Sequence, residues 1–428
     1  MTATSTSTSP SSKTSLRQPA PALVEKIHSL VKEGIDLKSG RLSASSDPFW
    51  KGLRDVGTAL WLDTGDLEGA QKLWTKEFSA LTTNNTLLNA EVQKGIYDDV
   101  ISKASKALSD LPPDQRVLEI AFLLNARHGL RLVQRFGGKV SVELHTDLSH
   151  DIENAVAYGK RFYSICPENF IVKVPLTPAG LIATRRLRSE GVPINFTLGF
   201  SARHNFIATG FAGPTYVNVF LGRLGAYLAD NKLGDGKMAG EKATLASQAA
   251  VKELSRGKKD PTLQIAASLR GPSQVADLAG VDVHTIPLKA AEAAKKELDG
   301  KWRSRLSEKY SVSLAAGVDP KDVRLETLWD IAPAERKFLE KLNAKAPSTG
   351  EELVQMANDA GVKDFFPRLS ESDGAHIAKD GKIPKHETWR SRVRSGELAI
   401  DTLLNLAGLA SFTADQKELD DRIRRLIR

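Results

Sequence analysis

Residues 139–144 read KVSVEL, and the way this short run divides decides which fold to expect. Successive side chains of a strand point to opposite faces, so Val140, Val142 and Leu144 fall on one side, and Ser141 and Glu143 on the other. The same split recurs downstream. FIVKV (170–174) sets Phe170, Val172 and Val174 against Ile171 and Lys173, and VPINFTL (192–198) sets Ile194, Phe196 and Leu198 against Asn195 and Thr197. TYVNVF (215–220) sets Val217 and Val219 against Tyr216, Asn218 and Phe220. LQIAASLR (263–270) sets Leu263, Ile265, Ala267 and Leu269 against Gln264, Ala266, Ser268 and Arg270. An open α/β sheet with helices on both sides should be apolar on both faces. Here one face is apolar and the other turns polar toward the C-terminal end of each run. A closed barrel accounts for this, with one face against a helix ring and the other lining an interior that opens at the C-terminal rim.

Three more runs, GTALWLD (57–63), FSALTTN (78–84) and VDVHTI (281–286), bring the set to eight. Helical patterns such as AEVQKGIYDDVISKASKAL (90–108), DQRVLEIAFLLNARHGLRLVQRF (114–136) and PAGLIATRRLRSE (178–190) separate them. That alternation is the count of a (β/α)8 barrel, expected over residues 23–300. Residues 301–428 read as a helical extension packed on the barrel. Within it, GELAIDTLLNLAGLA (396–410) and DQKELDDRIRRLI (415–427) read as two helices, the second covering one end of the barrel. APSTGE (346–351) and SESDGAHIAKDGKIPKHE (370–387), rich in turn formers, read as loops.

Composition narrows the class. Hydrophobic residues make up 41% of the 428 residues and charged residues 26%, which is ordinary soluble globular usage. No apolar run is long enough to span a membrane. The single cysteine, Cys166, excludes an internal disulfide framework and fits a reducing, cytoplasmic compartment. The net charge of +8 suits anionic partners. The basic residues are dispersed among 52 acidic ones, so nucleic acid is not expected. Eleven of the first fifteen residues are Ser or Thr, so residues 1–22 are expected to be a disordered tail with too little apolar surface to order itself.

Lys173 is the residue that demands explanation, because lysine is rarely buried without a partner or a use. Burying an unpaired ammonium costs several kcal/mol, so such a lysine is expected to give up its proton. A neutral amine in a wet pocket is a nucleophile for carbonyl groups and forms a Schiff base. The bland reading is a barrel staple, Lys173 salt-bridged to Glu143 on the neighbouring strand. The strand ends also offer Asp63, Asn84, Asn195, Thr197, Asn218, Ser268 and Arg270, with Arg223 just past the sixth strand and His284 or Thr285 on the eighth. A Schiff-base cycle needs an acid/base near the amine, and Glu143 fits, acting through a water that Thr197 holds. Asp63, across the barrel, fits as the base for a departing hydroxyl. Arg223 and Arg270 supply forked donors for a phosphate.

These residues resemble a family, the transaldolases, class I Schiff-base enzymes on a (β/α)8 barrel. LDTGD around Asp63, TTN around Asn84, VSVELHTDLSHD around Glu143 and FIVKVPLTPAGL around Lys173 are similar to its motifs. So are GVPINFTLGFS, with Asn195 and Thr197, VFLGR, with Arg223, and ASLR, with Ser268 and Arg270. The resemblance covers roughly residues 58–290. It implies Lys173 as the Schiff-base residue and Glu143, Asp63 and Thr197 as its catalytic partners. Asn84, Asn195, Asn218, Phe220, Arg223, Ser268 and Arg270 would bind substrate.

The implied reaction is transfer of a dihydroxyacetone unit from sedoheptulose 7-phosphate or fructose 6-phosphate to an aldose phosphate, in the pentose phosphate pathway. No metal or organic cofactor is implied, the partners are sugar phosphates, and a homodimer is compatible with the sequence. Fructose 6-phosphate aldolases carry Gln in place of Glu143 and Tyr in place of Phe220, which favours transfer over simple aldol cleavage here. Two positions depart from the family: Asn85 stands for the usual proline, expected to loosen that turn, and Asn218 for the usual serine. Two rivals stay open: a metal-dependent aldolase using His145, His150, His204 or His284, and a catalytically silent barrel that binds RNA or a partner protein.

Overall fold

The computed structural model describes residues 20–427, so most of the expected N-terminal tail lies outside the described residues. Its last two positions, Pro21 and Ala22, belong instead to a helix, Pro21–Lys32. Eight strands, β1 (Ala59–Asp63), β2 (Phe78–Thr82), β3 (Lys139–Glu143), β4 (Phe170–Pro175), β5 (Ile194–Thr197), β6 (Tyr216–Phe220), β7 (Leu263–Ala267) and β8 (Val283–Pro287), close into a barrel in sequence order. Every neighbouring pair is parallel, and β8 returns to β1 with Leu60 opposite His284.

The barrel floor is packed by aromatic side chains that meet edge to face. Trp61 on β1 and Tyr216 on β6 approach to 4.7 Å between ring centroids. Outside, the apolar face of β3 and β4 lies against the long helix Pro113–Phe136. That approach is close: a Cβ on Gly129 would sit 2.8 Å from Val142 Cγ1 and 3.0 Å from the Phe170 ring. The helix ends at Gly137, whose left-handed backbone (φ +67°) closes it.

Four local readings differ from the sequence expectation. The stretch 90–108 is not one helix: Asn85–Gln93 and Asp98–Ala107 are separated at Gly95, which has φ +80°. Residues 370–387 are not loop but two helices, Glu371–Asp380 and His386–Arg394, joined by a short turn. Ser370 and Asp373 form a reciprocal capping box that starts the first of these, so the Ser and Asp read as turn formers are cap residues. In 346–351, Gly350 and Glu351 already belong to the helix Gly350–Ala360. Finally, the two C-terminal helices are one, Ile400–Leu426. No glycine or proline stands between Ala410 and Asp415, so nothing there stops propagation.

The C-terminal region is tied to the barrel by a buried charge cluster. Arg203, in the short helix Ala202–Ile207 after β5, donates to both oxygens of Asp401, at 2.7 and 2.8 Å. Its Nη1 reaches Glu335 at 3.3 Å and Asp364 at 3.2 Å. Among the described residues no helix is long and apolar enough to cross a membrane.

Candidate active site

Register brings the chemistry together first. Glu143 stands opposite Lys173, and Lys173 opposite Asn195, on three adjacent strands, so the side chains share one level of the barrel interior. Lys173 is 4% exposed and Glu143 2%. The amine lies 3.9 Å from Glu143 Oε2 and donates to the Thr83 carbonyl at 3.2 Å. Glu143 also accepts from the Asn85 backbone N–H at 3.2 Å. Asn85 was expected to loosen its turn; it supplies instead a contact that proline, lacking N–H, could not make. Burial pushes the Glu143 carboxyl above its usual range, while the Lys173 charge and the Asn85 N–H pull it the other way.

A cavity of about 190 Å³ opens above this level at the C-terminal ends of the strands. Its wall includes ten of the residues singled out in the sequence: Asp63, Asn84, Lys173, Asn195, Asn218, Phe220, Arg223, Ser268, Arg270 and Thr285. Glu143 and Thr197 do not line it. Glu143 lies beside Lys173 on the neighbouring strand, and the Thr197 hydroxyl is buried with no hydrogen-bond partner among the described residues, a group that calls for a water or a ligand.

Asp63 accepts from Thr82 Oγ1 at 2.6 Å, and Thr82 meets Thr285 at 2.6 Å. Burial is the largest influence on Asp63 and raises its carboxyl, against the Thr82 hydrogen bond and the Lys173 charge. The amides form a relay: Gly199 N–H donates to Asn218 Oδ1, Asn218 to Asn195, and Asn195 to Ser141 Oγ. Asn84 spends its side-chain oxygen capping the helix Asn85–Gln93 through Leu87 N–H.

At the mouth, Arg223 is 6% exposed and its Nη1 has no hydrogen-bond acceptor among the described residues. Burial, then the charge of Arg270, bring Arg223 down to about 10, with Asp415 acting in the opposite sense. Two cations held near each other, one with an unused donor, make a place for an anion.

The seventh strand corrects the face assignment. Ile265 and Ala267 line the cavity, whereas Gln264 points outward and bonds Ser247 and Asn205 in the helix layer. Ser268 and Arg270 still reach the mouth because β7 ends at Ala267 and Ser268 adopts a left-handed backbone, φ +62°, which resets the alternation. Leu198, just past β5, has φ +66°, unusual for a bulky residue. Its carbonyl accepts from Asn405 at 2.9 Å, which holds that conformation. On β8 Thr285 is the inward residue, while His284 bonds the Leu278 carbonyl in the wall behind.

The sequence reading missed Thr82, Thr86, Lys382 and Phe412, all on the cavity wall. Thr82 sits inward on β2 and was legible from alternation with Ala80. Phe412 and Lys382 come from the C-terminal region, where no strand periodicity points to a site. Phe412 presents its ring 5.7 Å from the Lys173 amine and 5.9 Å from the Arg223 guanidinium.

The fold and the rim residues define a (β/α)8 enzyme with a buried lysine and a cationic mouth. The chain belongs to the Transaldolase/Fructose-6-phosphate aldolase family, whose model matches residues 60–366. That match runs past the last strand into the C-terminal helices. A transaldolase of Acidobacterium capsulatum is 29% identical over 274 residues, 61% of this chain and 79% of the relative. A probable transaldolase of Thermus thermophilus is 34% identical over 232 residues, 53% and 86% of the two chains. A transaldolase of Gloeobacter violaceus is 25% identical over 356 residues, covering 80% of this chain and 85% of that one.

Proposed function

We propose that this enzyme is a transaldolase that moves a dihydroxyacetone unit from a ketose phosphate to an aldose phosphate through a Schiff base on Lys173. The observation that carries this reading is the placement of one amine 3.9 Å from a carboxylate on the next strand, below a cavity whose mouth holds two arginines.

The Lys173 nitrogen, when unprotonated, adds to the ketose carbonyl and gives a carbinolamine. Loss of water needs a proton delivered to the leaving hydroxyl, and Glu143 supplies it through a water that the unpartnered Thr197 hydroxyl holds. In the resulting iminium, the electron pair of the next carbon–carbon bond has somewhere to go. Asp63 takes the proton of the C4 hydroxyl, that bond breaks, and the aldose phosphate departs while a three-carbon enamine stays on Lys173. The enamine then adds to the acceptor aldehyde, whose oxygen takes the proton back from Asp63, and hydrolysis frees the lysine. Asn195 and Asn218 hold the donor hydroxyls, Asn84 and Ser268 line its path, and Arg223 and Arg270 hold the phosphate.

Phe220 supports transfer over release of free dihydroxyacetone, because an apolar ring on the wall offers no help in activating water. Residues 23–300 as the barrel and 301–428 as its extension, a cytoplasmic site in the pentose phosphate pathway and homodimer formation belong to the same proposal. Incubation with fructose 6-phosphate and erythrose 4-phosphate tests it. The expected products are sedoheptulose 7-phosphate and glyceraldehyde 3-phosphate in equal amounts. Accumulation of free dihydroxyacetone in their place would make the protein an aldolase, and no turnover at all would leave a binding barrel.

A further inference from the structure

Lys382 lies on the wall of the active-site cavity, yet it comes from neither a strand end nor a strand–helix loop. It stands in the turn between the helices Glu371–Asp380 and His386–Arg394, one residue after Gly381. The turn is fixed from behind onto the helix Leu221–Asp230, which carries Arg223. Asn231, just past that helix, donates to the Pro384 carbonyl at 3.0 Å and accepts from the His386 N–H at 2.8 Å. The Tyr227 hydroxyl and His386 Nδ1 are 2.8 Å apart. The same helix thus positions Arg223 from within and Lys382 from outside.

The ammonium is exposed and forms no ion pair among the described residues. Asp380, the nearest acid along the chain, is engaged by the Lys385 N–H at 3.0 Å. Among the described residues, Asp63 is the sole carboxylate on the cavity wall, at the end of β1. The wall therefore carries Arg223, Arg270 and Lys382, with Asp415 near Arg223 but not on the wall. Three like charges facing one nearby carboxylate, Asp415, which is already engaged by Thr86, disfavour the empty state and favour a multiply charged anion.

We propose that Lys382 is a third phosphate-binding cation, contributed by the C-terminal region, and that it sets the preference for phosphorylated over unphosphorylated sugars. The inference rests on the sugar phosphate transfer proposed above. A flexible lysine supplies a point charge where the two arginines supply fixed forks, so it follows a phosphate that ends chains of different length.

The test is titration calorimetry on the full chain carrying Lys173→Met, which binds substrate without reacting, with and without Lys382→Ala. Fructose 6-phosphate is expected to bind about ten-fold more weakly after Lys382→Ala, the loss of one exposed charge-assisted contact. Fructose should bind equally to both, and Lys382→Arg should restore most of the phosphate affinity. In the otherwise unaltered enzyme the loss appears in KM for the sugar phosphate far more than in kcat. Equal affinity of fructose 6-phosphate for the two proteins would overturn the proposal. An enzyme that fails to transfer, yet loses phosphate affinity with Lys382→Ala, would keep this site and remove the transfer reading.

Discussion

Glu143 is drawn in opposite directions by its neighbours, which makes it the side chain whose titration reports most on the site. Burial and the Asp63 charge raise its carboxyl, while Lys173 and the Asn85 N–H lower it. Schiff-base formation needs Glu143 ionised when the amine adds to the carbonyl, so that it takes up the proton it then delivers to the leaving hydroxyl. Activity should therefore fall as pH drops through a limb above the ordinary glutamate value. Asn85→Pro removes the N–H donor from the first position of a helix, a place where proline is tolerated. Losing that donor destabilises the carboxylate, so the acidic limb of kcat/KM is expected to move to higher pH. An unmoved limb would show that Glu143 does not set it. Glu143→Gln should lower kcat by about a hundred- to ten-thousand-fold, the usual weight of a positioned acid/base, with substrate binding largely kept.

Among the elements, the C-terminal helix Ile400–Leu426 does the most to shape the site. Asn405 donates to the carbonyls of Leu176 and Leu198 at the ends of β4 and β5, at 3.1 and 2.9 Å. Asp415 takes a hydrogen bond from Thr86, and Arg422 pairs with Asp98 at 2.7 Å. Between these anchors Gly408 lies under Arg223: a Cβ there would be 3.1 Å from Nη1 and 2.8 Å from Leu198 Cδ2. Gly408→Leu should overpack this contact, costing about 1–3 kcal/mol of stability, and should raise KM for sugar phosphates by displacing the guanidinium. A KM equal to that of the parent enzyme would show that the helix does not position Arg223. Arg203 anchors the start of the same helix. Arg203→Met leaves the buried carboxylates of Asp401 and Glu335 without their arginine and Asp364 with Arg324 alone, expected to cost about 3–5 kcal/mol in denaturant unfolding. Arg203 holds the Asp401 carboxyl well below its usual range. The stability from this pair is thus present above the ordinary aspartate value and is lost as pH falls toward the depressed one. The advantage of the parent protein over Arg203→Met should accordingly shrink in acid.

Across the whole molecule, barrel and C-terminal region share one closed structure, since the rim backbone at Leu198 and the charge of Arg203 both depend on residues beyond 330. A chain ending at residue 300 would strip Arg203 of Asp401, Glu335 and Asp364 and uncover the barrel face those residues pack on, and is expected to be insoluble or to lack a cooperative thermal transition. A stable, cooperatively unfolding fragment would contradict this coupling. The barrel was legible because period-two alternation places Glu143, Lys173, Asn195, Thr197 and Asn218 on one inward face without reference to anything distant. The reading failed at Gln264, where an outward polar residue is satisfied by Ser247 and Asn205 and thus mimics an inward one. It failed too at Lys382 and Phe412, whose place depends on how two helices fold back over the mouth, a tertiary fact with no local period. The central claim, that a ketose condenses with one particular amine inside the closed ring, is open to a direct measurement: mass spectrometry of the intact chain and its peptides after fructose 6-phosphate and borohydride. A single reduced three-carbon unit on the peptide containing Lys173, absent from Lys173→Met, is the expected result. Undiminished turnover with Lys173 unmodified would contradict it.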